Sequence, residues 1–220
     1  MSLTTQFRCN GSDGYLSWLD NTLQIRETVN HTLEGIDYDF RIFDDPNELR
    51  ELIFEKNKIN NKARLVAGYC WDWISKKDSH AFDIQIPAFD FHAQWNLNKY
   101  GNLWIEYADS VNEVGCIHTC QGLELDYIGV IVGEDLVVRN GRVVTQPSKR
   151  AKTDASLNGL KKIEVEDPLL AKMEAEHLIK NTYRTLMTRG MKGCYVYFVD
   201  KDTEKFFRSR MEIKNYLLKL

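Results

Sequence analysis

Three short runs of this 220-residue chain hold the side chains best suited to chemistry. The first is Cys116-Ile-His118-Thr119-Cys-Gln121-Gly122-Leu-Glu124-Leu-Asp126-Tyr127. Gly122 lets backbone approach a phosphate, the Gln121 amide both donates and accepts, and Glu124 can accept from a ribose hydroxyl. A lone His or Glu on a loop is more often silent than not; the density of such groups in one run sets this one apart. The second run is Asn181-Thr-Tyr183-Arg184-Thr-Leu-Met-Thr188-Arg189-Gly190. Arg184 and Thr188 are four apart and share a helix face, while Arg189 stands at the helix end. A guanidinium there suits a phosphate, because its planar fork gives two hydrogen bonds and it keeps its charge. Compensation of the helix dipole explains it equally well. The third run, Gln6-Phe7-Arg8-Cys-Asn10-Gly11-Ser12, leads into a helix N-terminus, where backbone N–H groups favour anions. N-capping accounts for Ser12 and Asp13 but not for Gln6 or Arg8.

The elements that must position these runs follow from hydrophobic period and punctuation. Residues 12–25 carry Tyr15, Leu16, Leu19 and Leu23 at helical spacing. Residues 38–43 read as a strand, Asp45-Pro46-Asn-Glu48 as the capped start of a second helix, and residues 63–69 as a short apolar strand. Residues 70–107 hold Trp71, Trp73, Trp95 and Trp104 without a clean period and are expected to form an irregular, partly β insertion. Residues 113–118 and 127–132 are near-continuous apolar runs of the kind that buried parallel strands show. Ligands in an open parallel sheet gather outside the carboxyl ends of the strands, so His118 to Glu124 is expected at that edge.

Residues 135–162 are expected to form a β-hairpin and a basic loop. Alternation around Asn140-Gly141 predicts an exposed two-stranded ribbon, and residues 147–162, with Lys149, Arg150, Lys152, Lys161 and Lys162, read as a mobile loop. A long helix over 168–188, a buried strand over 193–199 and an amphipathic helix over 202–217 complete the chain. This alternation predicts an α/β fold: one domain over 1–220, a three-layer parallel sheet with helices on both faces.

Bulk properties narrow the classes. A hydrophobic fraction of 43% fills a core, and a net charge of −3 with 28% charged residues means that any polyanion site is local. The five scattered cysteines, Cys9, Cys70, Cys116, Cys120 and Cys194, with no secretory segment, point to a reducing compartment, the cytoplasm. Cys116 and Cys120 with His118 fall short of the roughly four ligands that zinc takes, so no metal site is expected. No run approaches the ~18 apolar residues of a membrane span. Met-Ser-Leu directly before a structured-looking run suggests a fragment of a longer protein.

In order along the chain, Gln6-Phe-Arg8 before a helix, His118-x-x-Gln121-Gly122-Leu-Glu124 and Tyr183-Arg-x-Leu-x-Thr-Arg189-Gly190 resemble motifs IV, V and VI of superfamily 1 helicases. With Gly68-Tyr-Cys-Trp-Asp-Trp73 and Trp95-Asn96 added, the chain is similar over nearly its whole length to the Schlafen group-3-like DNA/RNA helicase domain. The resemblance implies a RecA-like domain 2, the second motor half, acting as a monomer on a single strand of DNA or RNA. ATP with Mg2+ would sit against an N-terminal P-loop RecA-like domain of the same protein. Arg8 and Arg189 would be the catalytic arginines at the γ-phosphate; Gln6, Gln121, Gly122 and Glu124 would line the nucleotide; His118 and Thr119 would link the cleft to the strand. From charge alone, Lys149, Arg150 and Lys152 are expected along the strand's phosphates.

Departures from the family pattern carry weight as well. No Gly-x-x-x-x-Gly-Lys-[Ser/Thr] occurs, so this stretch alone is expected neither to hold ATP tightly nor to hydrolyse it. Gln121 stands where many UvrD-type helicases have Lys, and their inserted accessory domain has no room here, so translocation is implied more directly than duplex unwinding. Two other readings stay open. Asp83, Asp90, Glu106 and Asp109 could hold Mg2+ in a nuclease. The four tryptophans of the insertion could stack bases in a nucleotide-independent binding module, although clustered Trp more often fills a core.

Overall fold

The computed structural model describes residues 13–96, 104–119, 124–157 and 159–212. Helix α1 spans Asp13–Thr22, strand β1 Asp39–Phe43 and helix α2 Pro46–Asn60. Asp45 caps α2, its carboxylate accepting from Asn47 N at 2.7 Å with Pro46 at the first position, as the spacing predicts. Strand β2 is Ala63–Ala67, β3 Ile84–Ile86, β4 Phe91–Ala93, β5 Val114–Gly115 and β6 Leu125–Val132. There follow β7 (Leu136–Arg139), β8 (Arg142–Thr145), α3 (Leu160–Glu166), α4 (Pro168–Met187), β9 (Gly190–Phe198) and α5 (Lys201–Ser209).

Five of these strands form one parallel sheet in the order β1-β9-β6-β2-β5. Side-chain alternation divides it into two dry faces. Ile128, Val130 and Val132 of β6 and Cys194, Val196 and Phe198 of β9 pack with Trp18 of α1, Ile179 and Leu186 of α4 and Phe207 of α5. Ile131, Tyr195 and Tyr197 point the other way, onto Leu49 and Ile53 of α2 and onto Phe91 and Trp95 of the insertion. The result is the expected three-layer α/β arrangement with helices on both faces.

The insertion after β2 is organised by an arginine inside the sheet. Arg64, fully buried in β2, donates to Asn57 Oδ1 at 2.6 Å, Ser110 Oγ at 3.0 Å, Ile105 O at 2.7 Å and Tyr107 O at 3.0 Å. Desolvation lowers its pKa to about 10. β3 and β4 make a small antiparallel hairpin, and Trp95 continues from it to bridge Val114 in parallel. Trp95 and Trp104 are buried, and Trp71 and Trp73 pack against the same core, which favours filling over base stacking.

Three local expectations are corrected. The strand expected over 113–118 is only Val114–Gly115, because Thr119 takes over its pairing: Thr119 N donates to Cys116 O at 3.1 Å and turns the chain away. The hairpin is not an exposed ribbon. Leu136, Val137, Val138 and Val143 are buried against α5 and α4, and Gln24 clamps the turn through Gly141 O and Val143 N. Asn140 and Gly141 have φ of 52° and 72°, the left-handed pair that a tight hairpin turn requires. The stretch after β8 is folded rather than a free loop, with 3-10 turns at Pro147–Lys149 and Ala155–Leu157; Ala151 N donates to Tyr69 O and Lys152 N to Asp72 Oδ1, both at 2.9 Å.

Candidate functional site

At the amino-terminal edge of the parallel sheet the last part of the first run meets the end of the second. β6 and β9 begin side by side, Leu125 opposite Gly190. Glu124, just before β6, and Arg189, just before β9, therefore flank the same point. The start of α1 is tied to it: Tyr15 donates to Met187 O at 3.0 Å, and Tyr38, stacked on Tyr15 with ring centroids 3.9 Å apart, donates to Gly190 O at 2.8 Å. Gln6, Arg8, Gln121 and Gly122 lie outside the described residues. Of the remaining pair, Glu124 is exposed, and Arg189 is 6% exposed, its backbone N donating to Leu186 O at 3.2 Å.

This placement corrects the expectation that His118 to Glu124 occupies the carboxyl edge. β5 and β6 are parallel with β2 between them, so the chain leaving β5 must run back along the sheet before β6 can start. His118 and Thr119 stay near the end of β5, where Thr119 Oγ1 donates to Asn96 Oδ1 at 2.7 Å, and Glu124 arrives at the opposite edge. A groove of about 510 Å³ lies between Ile117 on one side and Ile163, Leu178, Thr182 and Thr185 of the α3–α4 pair on the other.

Helix α4 reaches the edge with its last two turns fixed on several sides. Arg184 is ion-paired to Asp20 of α1, which also takes Arg26 at 2.8 Å, so Arg184 serves the packing of α1 on α4. The chain then turns sharply: a Cβ on Gly190 would lie 2.1 Å from Gly193 O. Beside Glu124, Asp126 Oδ2 accepts from Asn60 Nδ2 and Lys192 Nζ, both at 2.8 Å. Burial pushes that carboxyl up, but these hydrogen bonds outweigh it and hold it below the usual carboxylate range. Lys192, with Lys56 4.2 Å above the Tyr127 ring, brings positive charge to the edge. Asp126 belongs to the first run and Tyr15 to the first predicted helix, but Tyr38, Asn60 and Lys192 do not stand out by spacing in the sequence, because each reaches the edge from a different element.

The other expected site residues separate. Lys149 is half exposed and pairs with Glu134 at 2.7 Å, and Lys152 is exposed. Arg150 is not available to a phosphate: its side chain is dry and ion-paired to Asp135 at 3.1 Å and to Asp154. Asp83 is likewise spent on structure, accepting from Ser75 N and Trp95 N at 2.8 Å and from Ser75 Oγ at 2.6 Å. Among the described residues no three His, Cys, Asp or Glu side chains are grouped to hold a metal ion, and no helix is long and apolar enough to cross a membrane. Cys70, Cys116 and Cys194 are free thiols.

A five-stranded parallel sheet with helices on both faces fits the RecA-like class of α/β domain. Residues 1–200 match the family described as Schlafen group 3, DNA/RNA helicase domain, and the chain belongs to that family. It is also 28% identical over 219 residues to the uncharacterized protein YPL245W of Saccharomyces cerevisiae, an alignment covering 91% of this chain and 46% of the yeast protein. The chain thus spans about half the length of that relative. No solved structure matches it.

Proposed function

We propose that this helicase-family domain is the second motor half of an ATP-dependent superfamily 1 DNA/RNA translocase or helicase, completing an ATP site whose P-loop lies on another RecA-like domain of the same protein. The observation that carries the reading is the side-by-side start of β6 and β9, which puts Glu124 and Arg189 at one edge with the beginning of α1. The donor set fits a nucleotide: a carboxylate for ribose hydroxyls, guanidinium groups for phosphate oxygens, and Lys192 nearby. ATP, when bound with Mg2+, supplies the phosphoryl group that passes to water. The chain's own part is electrostatic. Arg189, together with Arg8, places fixed positive charge where the transferring group gains negative charge, while Glu124 orients the sugar. Gln6, Gln121 and Gly122 complete the nucleotide's lining in this reading, and His118, Thr119, Lys149 and Lys152 face the single strand. Free thiols suit the reducing cytoplasm.

The test is ATPase turnover of the full-length protein. Arg189→Ala and Arg8→Ala are each expected to lower kcat by on the order of 10³-fold, the worth of an arginine of this kind, with KM for ATP little changed. Wild-type turnover in both variants overturns the reading. The present 220-residue stretch by itself is expected to show no turnover.

A further inference from the structure

The proposed nucleotide edge accounts for Glu124 and Arg189 but leaves without a role a dry ionic cluster that closes on Tyr183 of α4. Asp135 follows β6, Arg150 and Asp154 belong to the folded loop after β8, and Tyr183 lies on α4; all four are buried. Arg150 Nη1 donates to Asp135 Oδ2 at 3.1 Å, and Arg150 Nε donates to Asp154 Oδ2. The Tyr183 hydroxyl donates to Asp135 Oδ1 and accepts from Gly133 N at 3.0 Å. A Cβ on Gly68 would fall 1.9 Å from that hydroxyl oxygen, so the oxygen has one place to sit. Asp154 Oδ1 in turn accepts from Ser156 N at 2.9 Å and Ser156 Oγ at 2.6 Å.

Stability does not call for such a cluster. Burying ions is costly, and well-packed apolar side chains of the same volume often hold a fold as well or better. Two aspartates around one arginine add excess negative charge in a dry place, and burial pushes the Asp135 carboxyl up. Directional bonds instead fix a single register between the segments they join, where apolar packing tolerates sliding. The joined segments are informative. On the loop, Arg150 sits between Lys149 and the exposed Lys152. On the helix, Tyr183 lies less than two turns from Arg189, and the intervening residues are rigidly held through Arg184 to Asp20 and through Met187 O to Tyr15.

We propose that the Tyr183–Asp135–Arg150–Asp154 cluster is a positioning device that couples the lysine-bearing loop to the helix end carrying Arg189, so that a polyanion held by Lys149 and Lys152 sets the placement of that arginine. Its purpose rests on the motor reading above, whereas the coupling itself is a property of this fold.

Amide hydrogen exchange on the full chain tests the coupling without nucleotide. The reporters are the amides of Thr188 and Arg189, which donate to Arg184 O and Leu186 O at 3.1 and 3.2 Å, with Val130 in the core as the reference for global opening. Asp154→Asn, a change in the loop, is expected to speed exchange at Thr188 and Arg189 roughly tenfold more than at Val130. In a Tyr183→Phe background, where the link is already cut, the same change is expected to add nothing there. Reporters that move only in step with Val130, or substitutions that act additively, overturn the proposal. If Asp154→Asn does not fold, Ser156→Ala, which removes one hydrogen bond from the same carboxylate, gives the same comparison. Adding an oligothymidylate to the wild-type chain separates the two readings. Protection at both loop and helix end supports both, loop protection alone overturns the coupling, and no protection counts against the strand assignment while the variants still decide the coupling.

Discussion

At the scale of single residues, the sequence and the structure disagree most about charge. Lys149, Arg150 and Lys152 are adjacent, equally basic and indistinguishable by pattern, yet the middle one is interior and its neighbours are not. What separates them is where Asp135 and Asp154 fall: Asp154 lies four residues on, but Asp135, fifteen residues back, is reached only through the fold. Arg64 makes the same point inside an apolar strand, where its fork holds backbone carbonyls of the insertion. Close packing is equally local in effect and equally hidden. Gly68→Ala would set a methyl group 1.9 Å from the Tyr183 hydroxyl, an overpacking expected to cost about 1–3 kcal/mol. A lowered denaturant midpoint checks it.

Among elements, those with strong local signals are where the sequence places them. Asp45-Pro46 starts α2, Asp167-Pro168 starts α4, and Asn140-Gly141 turns the hairpin, all through interactions within a few residues. α5 is capped likewise by Asp200, whose carboxylate accepts from Thr203 N at 2.8 Å and from Arg139 at 2.9 and 2.8 Å. Burial pushes this carboxyl up, but the bonds from Arg139 and Thr203 outweigh it and bring its pKa to about 2. A folded pKa below the unfolded one means that the stabilisation is full above the ordinary carboxylate range and is lost as pH falls through about 2. Asp200→Asn keeps a good cap and removes the charge. The variant is expected to lose less stability than wild type between about pH 4 and 2, read as a shallower fall in urea midpoint.

For the whole molecule, a net charge of −3 leaves strand binding to local positive charge. Affinity for a single strand is therefore expected to fall steeply with salt, and Lys149→Ala with Lys152→Ala to flatten that dependence by about 0.7 for each phosphate no longer neutralised. A slope identical in wild type and double variant would remove both lysines from the track. The sequence by itself determined the order of the three chemical runs, the alternation that makes a three-layer parallel sheet, the capped start of α2 and the hairpin turn, because each depends on residues a few positions apart. Only the tertiary structure decided that Glu124 and Arg189 share the amino edge, that the hairpin is packed rather than exposed, and that Arg150 belongs to a buried cluster with Tyr183. Those outcomes follow from strand order and from which distant carboxylate closes on which cation, and neither is written in local spacing.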